Sequence, residues 1–426
     1  VTDCWLVTVG AEAVVAEDTA PDLVHAALSA GFRSVGAEYR DVRFRQLDLP
    51  PGAAPDRTAP TLLAALHTAQ EADLALRHGA LYAKRIIAAS PATPADTAAE
   101  PPPGHVLIIG GTGTLGLEFC AHFAHRGTPL ITLVCRSELT DRVDERLRQL
   151  RSATPAQIRI TRCDVTDPAA LARLAGPPAD LIIHAAVHYA GAEFDDLTPA
   201  GLDAELQPKV VGVAHVLETV PRSAACRVLL CSSVSATVGG RGLIGYAAAN
   251  RMLDALAHRL RAAGIDAGSV QWGQWPAPDL NPADWARLHA TGLLQMEPAD
   301  AITLGLSGLR RNTVVAAVDL PRARAVLQTC GRAALLSGMP DEGPEAGPAE
   351  PAADLRQRLI GVLAGTIGAD AVHALDERVP MVAIGLDSLQ ALEFHRRVKT
   401  EFDHELDMAE LLGGASVADV LAKLGG

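Results

Sequence analysis

The feature that most constrains this chain is an apolar run, Val106-Leu107-Ile108-Ile109, that breaks into Gly110-Gly111-Thr112-Gly113-Thr114-Leu115-Gly116 and resumes as a helical pattern over residues 115–125. The glycines satisfy both G-x-x-G-x-x-G (110, 113, 116) and G-x-G-x-x-G (111, 113, 116). Strand, glycine turn and helix in that order bring backbone N–H groups and a helix N-terminus to one point, where a pyrophosphate is received. Further apolar runs follow at 130–134, 158–161, 181–184, 228–231 and 267–271, separated by helix-length segments. Such alternation predicts a parallel sheet covered on both faces, a doubly wound α/β Rossmann fold.

Two stretches interrupt the pattern. Residues 90–104 carry five prolines and no apolar periodicity, and residues 338–353 are similarly rich in Pro, Gly and Glu. Both read as extended linkers. They divide the 426 residues into blocks 1–89, 105–337 and 354–426, as the domain-size prior allows. The first block repeats the theme in miniature, with strands expected at 5–9, 42–47 and 81–87 and helices at 21–32 and 61–76. It lacks a glycine fingerprint and is expected to be a packing half, a partial Rossmann-like subdomain. The last block reads as about four short helices.

The composition excludes several classes. A net charge of −13 argues against nucleic acid, whose phosphates need a dense basic face. No apolar run reaches the roughly 18–20 residues of a membrane helix, and residues 1–10 lack a basic secretion start. The seven cysteines form no C-x-x-C pair and are odd in number, as expected of reduced, buried thiols in a cytoplasmic protein. His184 and His188 are four apart but at a strand end with no third ligand in view, so no metal is expected.

The strand after the glycine turn ends Leu133-Val134-Cys135-Arg136-Ser137. An acid there would meet a free ribose 2′-hydroxyl, whereas a guanidinium suits a 2′-phosphate, so NADPH is favoured over NADH. Asp164, in Cys163-Asp164-Val165, ends the next strand where an adenine amino group would lie. Reducing a ketone with hydride needs a proton for the emerging alkoxide. A tyrosine supplies it, but its free pKa of about 10 is high for neutral pH, and a nearby ammonium is expected to lower it. Tyr246 starts an Ala-rich helix with Asn250 four residues on, and Ser232-Ser233 follow the strand over 228–231. Lys209 is the only lysine between Leu107 and Leu336, in a chain that otherwise uses arginine for charge.

These phrases, with His184-Ala185-Ala186, Pro208-Lys209-Val210, Tyr246-Ala247-Ala248-Ala249-Asn250 and Gln271-Trp272-Gly273-Gln274-Trp275, make residues 105–337 resemble the ketoreductase domain of modular polyketide synthases, within the short-chain dehydrogenase/reductase superfamily. Most of that superfamily carries its lysine four after the tyrosine. Here Asn250 stands there and Lys209 lies upstream, the exchanged arrangement of these ketoreductases. The resemblance implies that Tyr246 protonates the carbonyl oxygen, Ser233 hydrogen-bonds it, and Lys209 with Asn250 tunes and orients the set. It also implies that Gly110, Gly111, Thr112, Gly113, Thr114, Leu115, Gly116, Arg136, Ser137, Asp164, Val165, Ala185 and Ala186 hold the cofactor. Residues 1–89 resemble the later half of the family's structural subdomain, so either the chain is a fragment or the earlier half is supplied elsewhere.

Some positions depart from the family. The glycine after His-Ala-Ala is Val187, the Leu-Asp-Asp tied to one product configuration is Tyr189-Ala190-Gly191, and the tryptophan tied to the other is Leu243. The hydroxyl configuration is left open.

The last block contains Ile384-Gly385-Leu386-Asp387-Ser388-Leu389 before a helical apolar pattern, and 16 acids against 7 Lys/Arg lie from Asp341 onward. It resembles an acyl or peptidyl carrier protein, which implies 4′-phosphopantetheine on Ser388. The implied function is reduction of a carrier-bound 3-oxoacyl thioester to a 3-hydroxyacyl thioester. Two competitors remain: a 2-oxoacyl thioester as substrate in a depsipeptide-type synthetase, and a redox-silent docking scaffold. The implied partners are upstream ketosynthase/acyltransferase or synthetase domains of the same assembly line, a phosphopantetheinyl transferase and the acyl thioester.

Overall fold

The first strands of the chain, β1 (Thr2–Val9), β2 (Val42–Leu49), β3 (Asp73–Arg77) and β4 (Ala80–Ala83), form one sheet in that order. β1, β2 and β3 run parallel, and β4 turns back antiparallel on β3. The computed structural model describes residues 2–39, 41–53, 55–67, 71–89, 101–174, 176–276, 288, 291–307, 311–340, 355–367, 379–381, 386, 388–402 and 404–424. The expected linkers therefore lie mostly outside the described residues. The chain divides into two compact units, Val1–Asp341 and Glu342–Gly426.

Two expectations for the first block are corrected. The helix expected over 61–76 is instead a helix, Pro55–Leu66, and the separate strand β3. Leu74, Ala75 and Leu76 are all buried, and a short fully apolar run fits a buried strand as well as a helix. The strand expected over 81–87 shrinks to β4. His78 and Gly79 both take positive φ, 49° and 78°, and close a two-residue hairpin between paired Arg77 and Ala80.

The large sheet is all parallel and has seven strands. Its members are β5 (His105–Ile109), β6 (Leu130–Cys135), β7 (Gln157–Arg162), β8 (Ala179–His184), β9 (Arg222–Ser233), β10 (Asp266–Trp272) and, beyond a short β11 (Leu293–Leu294), β12 (Asn312–Val315). The order is β12-β10-β9-β8-β5-β6-β7. β11 pairs apart from it with β13 (Ala317–Val318). β12 was not anticipated, because its four residues are mostly half-buried and form no apolar run distinct from their neighbours. The six anticipated strands lie where the apolar runs placed them, packed around Ile108, Ile131, Leu133, Ile183 and Leu229.

Blocks 1–89 and 105–337 are one unit because buried charges join them. Asp73 accepts from Arg33 Nε at 2.9 Å and from Arg332 Nη2 at 2.6 Å, and Arg332 also reaches the Val238 carbonyl at 3.0 Å. Glu12 pairs with Arg251 at 2.5 Å and Lys84 at 2.6 Å. Asp22 caps the Leu23–Gly36 helix through Val24 N and His25 N, both at 2.9 Å. That helix packs on Ile244–Ala262, with Gly31 facing Ile244.

In the second unit the described residues form four helices: Leu355–Ile367, Ser388–Phe402, Met408–Leu412 and Val417–Leu424. Leu359, Leu363, Ala391, Phe394, Val398, Leu411 and Val417 make its core. Ala391, Phe394 and Val398 follow the three-four spacing of a helix with one buried face.

Candidate active site

The strand order reverses between β5 and β8, and such a switch point opens a crevice at the carboxyl ends of the strands. Ile109 and His184 are register partners there, and Ala185 N donates to the Ile109 carbonyl at 2.9 Å. Gly110, at φ +73°, turns so close to this point that a Cβ would lie 2.8 Å from the Ala185 backbone. A Cβ on Gly116 would strike the Gly110 carbonyl oxygen. Gly113 then opens the Thr114–His125 helix with no side chain capping its first N–H groups. Those groups are the ones an anion satisfies.

The next strand ends stand alongside. Arg136 and Ser137 leave β6 exposed. Asp164 follows β7 and accepts from Thr166 N at 2.9 Å and Thr166 Oγ1 at 2.7 Å. These bonds, with Arg136 adding its charge, hold the Asp164 carboxyl below the usual range. Val165 is buried.

The proposed proton-handling residues gather at the end of β9. The helix Pro199–Leu206 runs into a π-helical stretch, Gln207–Val211, where Pro208 lacks the N–H that a regular ladder would use. That widened turn carries Lys209, 3% exposed, whose Nζ donates to the Cys231 carbonyl at 3.0 Å. Lys209 Nζ lies 5.9 Å from the centre of the Tyr246 ring. Ser233 Oγ accepts from Ser235 N at 3.2 Å. Asn250 Nδ2 donates to the Tyr246 carbonyl at 2.8 Å, leaving its Oδ1 buried and unpartnered. Lys209, Ser233 and the helix pair Tyr246 and Asn250 thus come from three separate stretches of the chain, with Ala185 and Ala186 one strand over and the glycine turn two.

Their electrostatics correct one expectation. Burial pushes the Tyr246 phenol above its ordinary value, while the Ser233 and Asn250 side chains pull it back only in part. The lowering expected from an ammonium comes instead from these two hydrogen-bonding side chains, and desolvation outweighs them. Burial acts on Lys209 as well and brings it down to about 8. His184, buried beside Lys209, is driven to about 3 and stays a neutral imidazole whose ring nitrogens have no partner.

Two acids, Glu205 and Glu38, escaped the sequence reading, and Tyr189 entered it only as a departure from the family. Tyr189 stands edge-on against Tyr246, ring centres 5.6 Å apart at 88°. Glu205 is buried and accepts from Ala190 N at 3.0 Å and Gly191 N at 3.3 Å. Glu38 accepts from Phe194 N at 2.8 Å and Gly242 N at 3.1 Å. The one available signal was Glu205, four residues before Lys209 on what begins as a shared helix face.

Known proteins share the fold that carries this site. Residues 104–277 match the KR domain family and residues 357–424 the phosphopantetheine attachment site family. The first ketoreductase of the tylosin polyketide synthase superposes with a TM-score of 0.69 at 31% identity, over 79% of this chain and 74% of that one. This chain belongs to the polyketide synthase ketoreductases. A ketoreductase from the first module of phoslactomycin biosynthesis in Streptomyces sp. HK803 gives 0.68 at 31% identity, over 77% of this chain and 79% of that one. The pikromycin polyketide synthase component PikAIII of Streptomyces venezuelae is 31% identical over 461 residues, 99% of this chain but 29% of that protein. This ketoreductase chain spans between 15% and 29% of the length of the first curated relatives it matches.

The family implies a nicotinamide cofactor and a covalent phosphopantetheine. The uncapped helix N-terminus behind Gly110 and Gly116 fits the first. Ser388 is the first residue of the fifteen-residue Ser388–Phe402 helix, a terminus that favours a phosphodiester. Among the described residues no helix is long and apolar enough to cross a membrane.

Proposed function

We propose that this chain reduces a 3-oxoacyl thioester, held on the phosphopantetheine of its own or a sister carrier unit, to the 3-hydroxyacyl thioester with NADPH. One observation carries the reading: a buried ammonium, Lys209, set 5.9 Å from the Tyr246 ring at the carboxyl edge of a sheet whose switch point carries the glycine turn.

Bound NADPH supplies the hydride. Tyr246 holds the proton at Oη and releases it to the carbonyl oxygen as that oxygen becomes an alkoxide. The Ser233 hydroxyl donates to the same oxygen, and a donor aimed at developing charge is worth about 3 kcal/mol of barrier. The ammonium of Lys209 opposes the cost of the transient phenolate, a cost that burial makes larger. Asn250, through the Tyr246 carbonyl, keeps the first turn of the catalytic helix in place. Gly110 to Gly116 would seat the pyrophosphate, Arg136 and Ser137 the 2′-phosphate, Asp164 and Val165 the adenine, and Ala185 and Ala186 would wall the nicotinamide. Ser388 bears the arm, and tethering raises the local thioester concentration. Upstream assembly-line domains deliver the substrate, and a phosphopantetheinyl transferase loads Ser388.

The test is NADPH oxidation with 3-oxoacyl and 2-oxoacyl N-acetylcysteamine thioesters. Turnover of the 3-oxo compound that falls by about a thousandfold in Tyr246→Phe supports the reading. Preference for the 2-oxo compound moves the substrate to the depsipeptide type. NADPH binding without turnover of either makes the chain a scaffold.

A further inference from the structure

The turn Tyr189-Ala190-Gly191 carries no glycine fingerprint, charge or nucleophile of its own, yet it is held by a buried carboxylate. Glu205, 4% exposed, takes the N–H groups of Ala190 and Gly191 on Oε1. Its Oε2 lies hard against Gly245, the residue before Tyr246, where a side chain would collide with it. One carboxylate thus spans the 189–191 turn and the first turn of the catalytic helix, and sits four residues before Lys209. Gly191, at φ +61°, folds the turn back on Tyr189, and a Cβ there would stand 3.2 Å from that ring. Downstream, Ala192 N donates to the Gly242 carbonyl at 3.1 Å. Tyr189 keeps 59% of its surface exposed while its ring meets Tyr246 edge-on.

We propose that Glu205 is a positioning residue acting through Tyr189: it clamps the 189–191 turn so that the Tyr189 ring braces the Tyr246 phenol and walls the acyl side of the cleft. This deepens the reductase reading and rests on it. An edge-on aromatic pair contributes about 0.5–1.5 kcal/mol beyond its burial, so its loss is felt as up to about tenfold.

The experiment uses the full chain and four variants: Tyr189→Ala, Glu205→Ala, Glu205→Gln and the double Tyr189→Ala/Glu205→Ala. Tyr189→Ala, at an exposed position, is expected to raise the KM for the 3-oxoacyl N-acetylcysteamine thioester by about tenfold while NADPH affinity stays within about twofold. Glu205→Ala should match or exceed that effect, Glu205→Gln, which keeps an acceptor oxygen, should recover most of it, and the double variant should be no worse than Glu205→Ala. Hydrogen exchange at the Ala190 and Gly191 amides should quicken in Glu205→Ala. Parental KM in Tyr189→Ala, multiplicative effects in the double variant, or unchanged exchange at those amides each overturns the proposal. A parent chain that oxidises no NADPH with any oxoacyl thioester defeats the reductase reading instead. Exchange at 190–191 then decides the clamp alone.

Discussion

Lys209 and Tyr246 meet across the end of β9, the ammonium 5.9 Å from the centre of the ring and donating to the Cys231 carbonyl between them in sequence. The protein keeps a charge where burial disfavours it, bringing the lysine from 10.5 to about 8. At pH 7 folded and unfolded chains both hold this proton, and the fold bears the cost of burying it. Between pH 8 and 10.5 the unfolded chain holds a proton that the folded one has released, so stability from this group rises with pH. Lys209→Met is therefore expected to abolish reduction and yet raise the thermal midpoint at pH 7, by the equivalent of at most about 3 kcal/mol. The gap from the parent should close toward pH 10, as calorimetry at the two pH values would show. A midpoint lowered at pH 7 contradicts this account.

Arg136 leaves β6 exposed and unshielded by burial, free to meet an anion. Arg136→Asp is expected to lower the ratio of kcat/KM for NADPH over NADH by about a hundredfold, the loss of a charge-assisted contact. Steady-state rates with both cofactors measure it, and an unchanged ratio would remove Arg136 from the 2′-phosphate site.

Asp73, on β3, ties the first block to the rest of the first unit through Arg332. Burial alone would raise its carboxyl, but Arg332, then Arg33 and Lys84, drive it well below the usual carboxylate range. Asp73→Asn leaves two buried guanidinium groups short of a countercharge and is expected to cost about 3 kcal/mol at pH 7. The contribution is present above the unfolded value near about 4 and is lost as pH falls toward the lower folded value. Thermal unfolding of parent and variant should therefore converge on acidification.

Ser388 opens its helix at the expected attachment point. Incubation with coenzyme A and a phosphopantetheinyl transferase should add one phosphopantetheine mass to the parent and none to Ser388→Ala, read by intact-protein mass spectrometry. Addition to the variant would place the arm on another residue.

Much of this protein follows from local rules. An apolar run, a glycine turn and a helix leave the backbone few alternatives, so the six anticipated strands, the Gly110–Gly116 turn and the helix bearing Tyr246 were legible one residue at a time. Lys209 stands out in the sequence as a solitary lysine among arginines. The strand β3 was misread because a buried Ala/Leu stretch satisfies both periodicities, and only its neighbours Leu47 and Ala65 choose between them.

What the tertiary structure decided is everything that depends on distance through space. Desolvation is a property of the surroundings, so neither the raised Tyr246 phenol nor the lowered Lys209 could be read from residue types. The same holds for the Asp73 and Glu12 charge clusters that make blocks 1–89 and 105–337 one unit, and for Glu205, an acid among acids until folding places it against Ala190, Gly191 and Gly245. Residue chemistry and spacing pointed to the groups proposed for the site; packing set the charge each carries and what holds it there.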